Sequence, residues 1–363
     1  MDQVFVSILL PVRNEAAYIR RCLEAILAQD YPGEMEIIIV DGMSTDNTRS
    51  ILQEFITSPS LNTSLQHSSF ILLDNPGKIV PTGLNLALRQ AKGEIIIRVD
   101  GHTVIAPDYV RQCVETLQRT HADNVGGRMN AIGTNSFGKA VALATSTPFG
   151  IGGGRFHYSD EEEWVDTVYM GAWPKRVFEK IGLFDEELVR DQDDEFNYRL
   201  REQGGRILLS PAIRSEYTVR STPRGLWRQY FQYGYWKVRV LQKHPRHMCM
   251  RQFVPPVFVA SLFASALLLF FSFPSFILHP SFFILILYLL ANLTASIWTV
   301  FNNVRAAHFS LLSALYFLLL LPLVSSILHI SYGMGFLVGL VKFWNRWGDK
   351  VGKVPVWSNE TAG

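Results

Sequence analysis

Two stretches of this chain are short β-branched runs that close on an aspartate: Glu36-Ile37-Ile38-Ile39-Val40-Asp41-Gly42 and Glu94-Ile95-Ile96-Ile97-Arg98-Val99-Asp100-Gly101-His102. An apolar run of that length, bounded by a glycine turn, reads as a strand buried on both faces of a sheet. A carboxylate at the carboxyl end of such a strand lies in the crevice where open α/β sheets bind ligands. Two acidic groups from separate strands therefore converge on one ligand. Carboxylates aimed at a ligand call for a metal ion or polar hydroxyls to receive them, which points to a nucleotide, a sugar or both.

The first hundred residues support a sheet of this kind. Strand signals at Val4 to Leu10, Glu36 to Val40, Phe70 to Leu73 and the run ending at Asp100 alternate with helical spacing over Glu15 to Gln29, Asp46 to Phe55 and Ile79 to Lys92. That alternation predicts an α/β fold with a mostly parallel sheet flanked by helices. Between Gly126 and Tyr158 the pattern loosens and ends in Gly152-Gly153-Gly154. No strand is followed there by Gly-x-Gly-x-x-Gly and no phosphate-cradling loop of the Gly-Lys-Ser/Thr type occurs, so a dehydrogenase-type dinucleotide fold has little support. The triple glycine reads as a flexible loop, and Asp160 to Glu163 as a solvated charged face.

Composition matters for the second half. Net charge is only +2 and mean hydropathy is +0.13, high for a soluble chain, so the apolar excess must be concentrated. It lies in Val254 to Phe273, Phe276 to Val300 and Phe309 to Leu328. Each approaches the roughly 20 apolar residues that span a bilayer. Three transmembrane helices are expected; Pro322 and the Gly333, Gly335, Gly339 series leave a fourth span or a re-entrant segment open. The loop with Pro274 and His279 lacks Lys and Arg and should face outward, whereas Arg305 and the tail bases Lys342, Arg346, Lys350 and Lys353 favour the cytoplasmic side. Arg214 to Arg251 interleaves bases with aromatic residues, among them Arg224, Trp227, Arg228, Tyr235 and Trp236. Directly before apolar spans, this reads as an interfacial segment on anionic headgroups rather than a nucleic-acid surface. No signal peptide precedes the first strand, so the N-terminal domain is expected in the cytoplasm of a multi-pass cell-membrane protein. Cys22, Cys113 and Cys249 have no metal-ligand spacing and read as reduced thiols. The expected segments are a catalytic domain over 1–222, an interfacial segment over 223–252, a membrane domain over 253–345 and a polar tail over 346–363.

The motifs Pro11-Val12-Arg13-Asn14-Glu15, Val40-Asp41-Gly42-Met43-Ser44-Thr45-Asp46-Asn47-Thr48, Asn75-Pro76 to Gly93-Glu94 and Arg98-Val99-Asp100-Gly101-His102, in this order and spacing, resemble the family 2 glycosyltransferases of GT-A fold. Within that family the chain is similar to membrane-bound transferases of exopolysaccharide assembly. The resemblance covers the first two thirds of the chain. It implies that Pro11, Arg13, Glu15, Asp41, Lys78 and Asp100 hold a nucleotide sugar. A carboxylate at Asp41 can accept the imide N–H of uracil, and Glu15 can accept ribose hydroxyls; the plainer reading of Glu15 is a first-turn residue favoured by the helix dipole. Asp46 in Ser-Thr-Asp-Asn-Thr suits helix capping better than ligand contact, and Lys78 equally suits a solvated loop.

The family's Asp-x-Asp metal motif stands here as Asp100-Gly101-His102. The resemblance makes Asp100 and His102 ligands of a divalent ion, Mn²⁺ or Mg²⁺, of which Mn²⁺ accepts an imidazole more readily. Arg190-Asp191-Gln192-Asp193-Asp194-Glu195 resembles the family's Glu-Asp segment with Gln192 at the glutamate position. Asp193 is then the general base, with Asp194 as the alternative register; a plain helix-capping run is the competing reading. Trp173, Asp185 and the Met170-Gly171-Ala172 turn resemble parts of an acceptor pocket. The implied activity is an inverting hexosyltransferase that moves sugar from a UDP-sugar, foremost UDP-glucose, to a saccharide on a polyprenyl diphosphate at the membrane, with no nucleic-acid partner. A processive polysaccharide synthase and a non-catalytic nucleotide-sugar-binding membrane protein are the alternatives.

Overall fold

The computed structural model describes residues 3–57, 68–246, 248–271, 280–305, 311–349 and 354–357. The chain divides into two compact units. The first comprises Met1–Asn130, Arg155–Tyr217 and Val351–Gly363, and the second Ala131–Gly154 and Thr218–Lys350. These units cut the chain differently from the linear segments 1–222, 223–252, 253–345 and 346–363, because a loop excursion from the sheet belongs with the apolar helices and the end of the tail belongs with the sheet.

The first unit is built on a nine-stranded sheet. Strands β1 (Val6–Val12), β2 (Met35–Asp41), β3 (Ser68–Asp74) and β4 (Ile95–Arg98) form its parallel half in the order β3-β2-β1-β4. Every residue of β2 and β4 is buried, as their unbroken apolar runs require. β2 and β4 both pair with β1, with Val12 opposite Asp41 and Leu9 opposite Arg98, so the two aspartates leave the sheet at the carboxyl ends of the strands flanking β1. Besides Asp41 at its end, β2 carries one acid, Glu36. Its carboxylate accepts from Ser7 Oγ at 2.5 Å and Lys92 N at 2.6 Å, which fastens the turn entering β4.

The parallel expectation holds for this half; the other half is antiparallel. β5 (Thr103–Ile105), β6 (Asn124–Ile132), β7 (Glu163–Val165), β8 (Tyr169–Pro174) and β9 (Ile207–Thr218) complete the sheet, with β8 antiparallel to β4 and β6, and β9 antiparallel to β5 and β7. Helices still separate most of these strands, Tyr109–Thr120 between β5 and β6 and Gln192–Glu202 between β8 and β9, so alternation of strand and helix does not by itself impose parallel pairing. Met170-Gly171-Ala172 lies inside β8, not in a turn. Gly171 has φ of +104° at the register shift between β6 and β8, a bulge that an L side chain would strain.

The apolar faces of the sheet bury two separate layers. One packs the helices Ile19–Leu27, Thr48–Thr57 and Tyr109–Thr120, the other Val80–Gln90, Arg176–Ile181 and Gln192–Glu202. Residues 354–357 return to this unit: Pro355 O accepts from Leu183 N at 3.0 Å, and the Trp357 ring lies 6.5 Å from that of Phe178.

Among the described residues of the second unit three helices are long and apolar enough to cross a membrane, over Met250–Leu267, Phe282–Arg305 and Leu312–Lys342. The helix Leu311–Lys342 runs unbroken through Pro322. Neither a fourth span nor a re-entrant segment occurs among the described residues. At 32 residues it extends about 48 Å. That exceeds a hydrocarbon core of about 30 Å. Its glycines are packing surfaces rather than breaks. A Cβ on Gly335 would lie 2.0 Å from Phe231 O, one on Gly339 2.7 Å from Tyr235 O, and one on Gly234 2.0 Å from Tyr332 O. Such small residues let the helix Pro223–Lys243 and the long helix approach backbone to backbone.

The basic segment thus has one face buried against an apolar helix, Lys237, Arg239 and Lys243 included. Arg224, Trp227 and Arg228 remain exposed. Asn292 Nδ2 donates to Pro322 O at 2.9 Å and to Ser326 Oγ at 3.1 Å, a polar link between two apolar helices. The loop with Pro274 and His279, and the bases Lys350 and Lys353, lie outside the described residues. Of the chain's 34 Lys and Arg and 32 Asp and Glu, the second unit holds 13 bases and a single acid, Asp349. Near neutrality in total charge hides that segregation.

Candidate active site

The loops after β1 and β2 are laced together by short polar side chains. Asn14, at φ of +56°, accepts from Thr45 N at 2.8 Å, and its own N–H donates to Ser44 Oγ at 3.0 Å. Glu15 N donates to Thr48 Oγ1 at 2.7 Å. Asp46 accepts from Thr48 N and Oγ1 at 3.0 and 2.6 Å and from Ala16 N at 3.2 Å. Burial acts to raise its carboxyl, but these hydrogen bonds outweigh it and hold it below the usual range. Asp46 is therefore a capping and lacing residue, the plainer of its two readings.

Asp41 stands at the end of β2 with its side chain 1% exposed. It accepts from Ser44 Oγ at 2.6 Å and from Arg49 Nη1 at 3.3 Å, and Arg49 also pairs with Asp74. Pro11 lies on the same end of β1, opposite Val40. Arg13 Nη1 donates to Lys78 O at 3.1 Å. Lys78 itself is exposed, at φ of +60°.

The second acidic centre is built on β4. Arg98 and Asp100 project to the same side, and the guanidinium grips the carboxylate in a fork: Nε to Oδ1 at 2.8 Å and Nη2 to Oδ2 at 3.2 Å. Burial acts to raise the Asp100 carboxyl, but Arg98, ahead of His102, outweighs it and holds the group below its ordinary value. Burial acts in the opposite sense on Arg98, and Asp100 with Asp193 carries it above its ordinary value. The approach at Gly101 is close, since a Cβ there would lie 3.0 Å from Val12 Cγ1 and 3.2 Å from Glu15 Cγ and would press on both side chains. His102 Nδ1 is 3.2 Å from Glu15 Oε1, and its ring stands edge-on to Tyr217 at 5.2 Å.

The third centre comes from the helix Gln192–Glu202. Its first turn carries Asp193, Asp194 and Glu195, following Asp191 at φ of +61°. The three acids diverge. Glu195 turns inward, 1% exposed, and is gripped by Arg199 at 2.6 and 3.0 Å, while Arg199 also donates to Ile181 O and Leu183 O. Asp193 is 40% exposed and its Oδ2 lies 3.7 Å from Arg98 Nη1. Arg98 therefore stands between Asp100 and Asp193, ninety-three positions apart in sequence.

Two expected acceptor residues are placed elsewhere. Trp173 is 2% exposed, ringed by Phe178, Phe184 and Phe196 at 5.7 to 6.3 Å. An indole enclosed on all sides has no face for a ligand, so Trp173 is a core residue. Asp185 is fully buried and accepts from Glu187 N at 2.9 Å, which makes it a turn former before the helix. A further residue that the sequence did not single out positions this region. Asn85, buried on the helix Val80–Gln90, accepts from Phe184 N and donates to Phe184 O and Glu186 Oε1, each at 2.9 Å.

Among the described residues no group of three His, Cys, Asp or Glu could hold an ion by itself. Asp100 and His102 offer two donors of suitable chemistry. Each Asp100 oxygen accepts one Arg98 N–H and keeps a second lone pair. Glu15 against His102 Nδ1 is the carboxylate–imidazole pairing that leaves Nε2 as the ligating nitrogen. A site with one carboxylate and one imidazole is completed by substrate phosphate oxygens. The residues present fit a divalent ion bound together with a diphosphate.

Residues 7–182 match the family model for glycosyl transferase family 2. The chain is 30% identical over 250 residues, 68% of its length and 73% of the relative's, to the succinoglycan biosynthesis protein ExoA of Rhizobium meliloti (strain 1021). It is 32% identical over 246 residues, 66% of its length and 74% of the relative's, to a dolichyl N-acetyl-alpha-D-glucosaminyl phosphate 3-beta-D-2,3-diacetamido-2,3-dideoxy-beta-D-glucuronosyltransferase of Methanococcus voltae. Among solved structures, the mannosyltransferase PcManGT of Pyrobaculum calidifontis, in complex with GDP-Man and Mn²⁺, has a TM-score of 0.53 at 19% identity and covers 93% of this chain and 87% of that one.

Proposed function

The chain belongs to glycosyl transferase family 2, and on that premise we propose an inverting enzyme that moves a sugar from a UDP-sugar to a lipid-linked saccharide. UDP-glucose is the foremost donor and a polyprenyl-diphosphate-linked saccharide the acceptor, as in exopolysaccharide assembly. The observation that supports this reading is the convergence of Asp100 and Asp193 on either side of Arg98. Relatives named for exopolysaccharide and dolichyl-linked substrates support the acceptor class.

In this reading the loops after β1 and β2 hold the nucleoside, with Asp41, Arg13 and Lys78 nearest to it. Asp193 takes the proton from the acceptor hydroxyl, whose oxygen attacks the anomeric carbon in line as the nucleoside diphosphate leaves from the opposite face. Its partial exposure suits a base that must meet an incoming acceptor. A divalent ion held by Asp100 and His102 would offset negative charge on the departing diphosphate. Glu15 then serves His102 rather than the ribose. The apolar helices and the strongly cationic second unit keep the enzyme at a membrane, where a lipid-linked acceptor resides. The catalytic unit faces the cytoplasm, where nucleotide sugars are made.

The test incubates the purified protein with a panel of nucleotide sugars and polyprenyl-linked saccharide, with and without chelator. Transfer should require the divalent ion. Asp193→Asn should lower turnover by a factor of about 10² to 10⁴ with little change in donor binding, the scale of a lost general base. Unchanged turnover in Asp193→Asn would remove the base assignment.

A further inference from the structure

Arg98 is the unused group of this site. Its side chain is 7% exposed. Nε and Nη2 are both spent on Asp100, so the guanidinium is pinned in one orientation. Nη1 is fully buried and makes no hydrogen bond among the described residues; its nearest carboxylate oxygen, on Asp193, is 3.7 Å away. A buried guanidinium nitrogen without an acceptor is destabilising. Folded proteins seldom leave one so unless a ligand, an ion or an ordered water supplies the acceptor. We propose that Arg98 Nη1 binds the β-phosphate of the donor's nucleoside diphosphate, as a second positive contact besides the ion at Asp100.

The inference rests on the roles assigned above to Asp100 and Asp193. Between a group that manages the diphosphate and a group that activates the acceptor lies the scissile bond, and its leaving oxygen belongs to the β-phosphate. Nη1 is the guanidinium nitrogen on the Asp193 side of the Asp100 fork. The pinned fork fixes the guanidinium before the ligand arrives, so Arg98 itself need not turn as charge grows on the leaving group. The 3.7 Å gap has a second consequence. Asp193 is not hydrogen-bonded by Nη1, which leaves its oxygen available to an acceptor hydroxyl. Arginine suits this double task better than lysine, because one ammonium cannot fork to Asp100 and also present a fixed N–H to a phosphate.

The experiment measures binding of UDP and UMP to the full-length protein in detergent, by calorimetry, for wild type, Arg98→Lys and Arg98→Gln, in buffer with Mn²⁺ and in buffer with chelator. UMP lacks the β-phosphate and reports on the nucleoside end, so retained UMP binding shows that a variant is folded. The expected result is a loss of about tenfold or more in UDP affinity for both variants in chelator as well as in Mn²⁺, with UMP affinity unchanged, as for a hydrogen bond to a charged group. Equal UDP affinity in wild type and variants, or equal losses for UDP and UMP, would overturn the proposal. A loss seen with Mn²⁺ and absent in chelator would also overturn it, since Arg98 would then act only through the ion site. If wild type binds neither nucleotide, it is the donor assignment that fails.

Discussion

Replacing Asn85 with alanine tests whether one buried amide sets the position of the loop that leads to Asp193. Asn85 is 1% exposed and joins the helix Val80–Gln90 to Phe184 and Glu186 through three hydrogen bonds of 2.9 Å. Truncation leaves the Phe184 N–H and C=O without this partner, while the partly exposed Glu186 can turn to water. Two orphaned backbone groups, at about 1 to 3 kcal/mol each, give about 2 to 6 kcal/mol, with a water in the vacated space returning part of it. At about 3 kcal/mol the local opening constant rises on the order of a hundredfold. Hydrogen exchange followed by mass spectrometry on the full-length protein should show that acceleration in peptides covering residues 176–202 and not in those covering β1 and β2. Turnover should fall while the donor KM stays near wild type, because the nucleoside loops are built elsewhere. Asn85→Asp keeps one acceptor but turns an oxygen towards Phe184 O and Glu186, and should be at least as damaging. Unaltered exchange over 176–202 in Asn85→Ala, with full turnover, would refute the reasoning.

Glu15→Gln removes the carboxylate that pairs with His102 Nδ1 and should weaken the Mn²⁺ dependence of UDP binding by about 10- to 100-fold, the scale of an outer-shell partner, with UDP binding in chelator unchanged; calorimetry across a Mn²⁺ titration checks it. Cys22 and Cys113 are buried, and burial pushes both thiols well up, whereas Cys249 is exposed. A thiol reagent at neutral pH should therefore label one cysteine in the folded protein and three in denaturant. Burial holds the His157 imidazole at about 3, against an ordinary 6.5, and its Nδ1 makes no hydrogen bond among the described residues. The unfolded chain takes up that proton first, so the His157 contribution to stability is intact above 6.5 and is lost progressively as pH falls towards 3. Melting curves at pH 7.5 and 5 should separate by less in His157→Phe than in wild type.

Much of this was legible in the residues. The runs ending at Asp41 and Asp100 are interior strands, as their unbroken apolar character implies, and both pair parallel with β1, although β4 pairs antiparallel with β8 on its other side. Asp193 falls in the first turn of its helix, with Asp191 outside it. Other features share a sequence signature with their alternatives. An aromatic residue in a core and one lining a sugar pocket look alike in sequence, and Trp173 turned out to be the former. Gly333, Gly335 and Gly339 look like a break until a partner helix is found against them. Arg98 sits in an apolar run where its charge had no stated use, because the group it grips is two residues away and the group it faces is ninety-five.

The return of residues 354–357 to the sheet unit makes the catalytic body discontinuous in sequence. Pro355 and Trp357 pack on the body that the chain left at Tyr217, so segments before and after the apolar helices belong to one folded object. That object is complete only after the apolar helices have been made, and a chain cut short of residue 354 loses part of the catalytic body's own packing along with its tail.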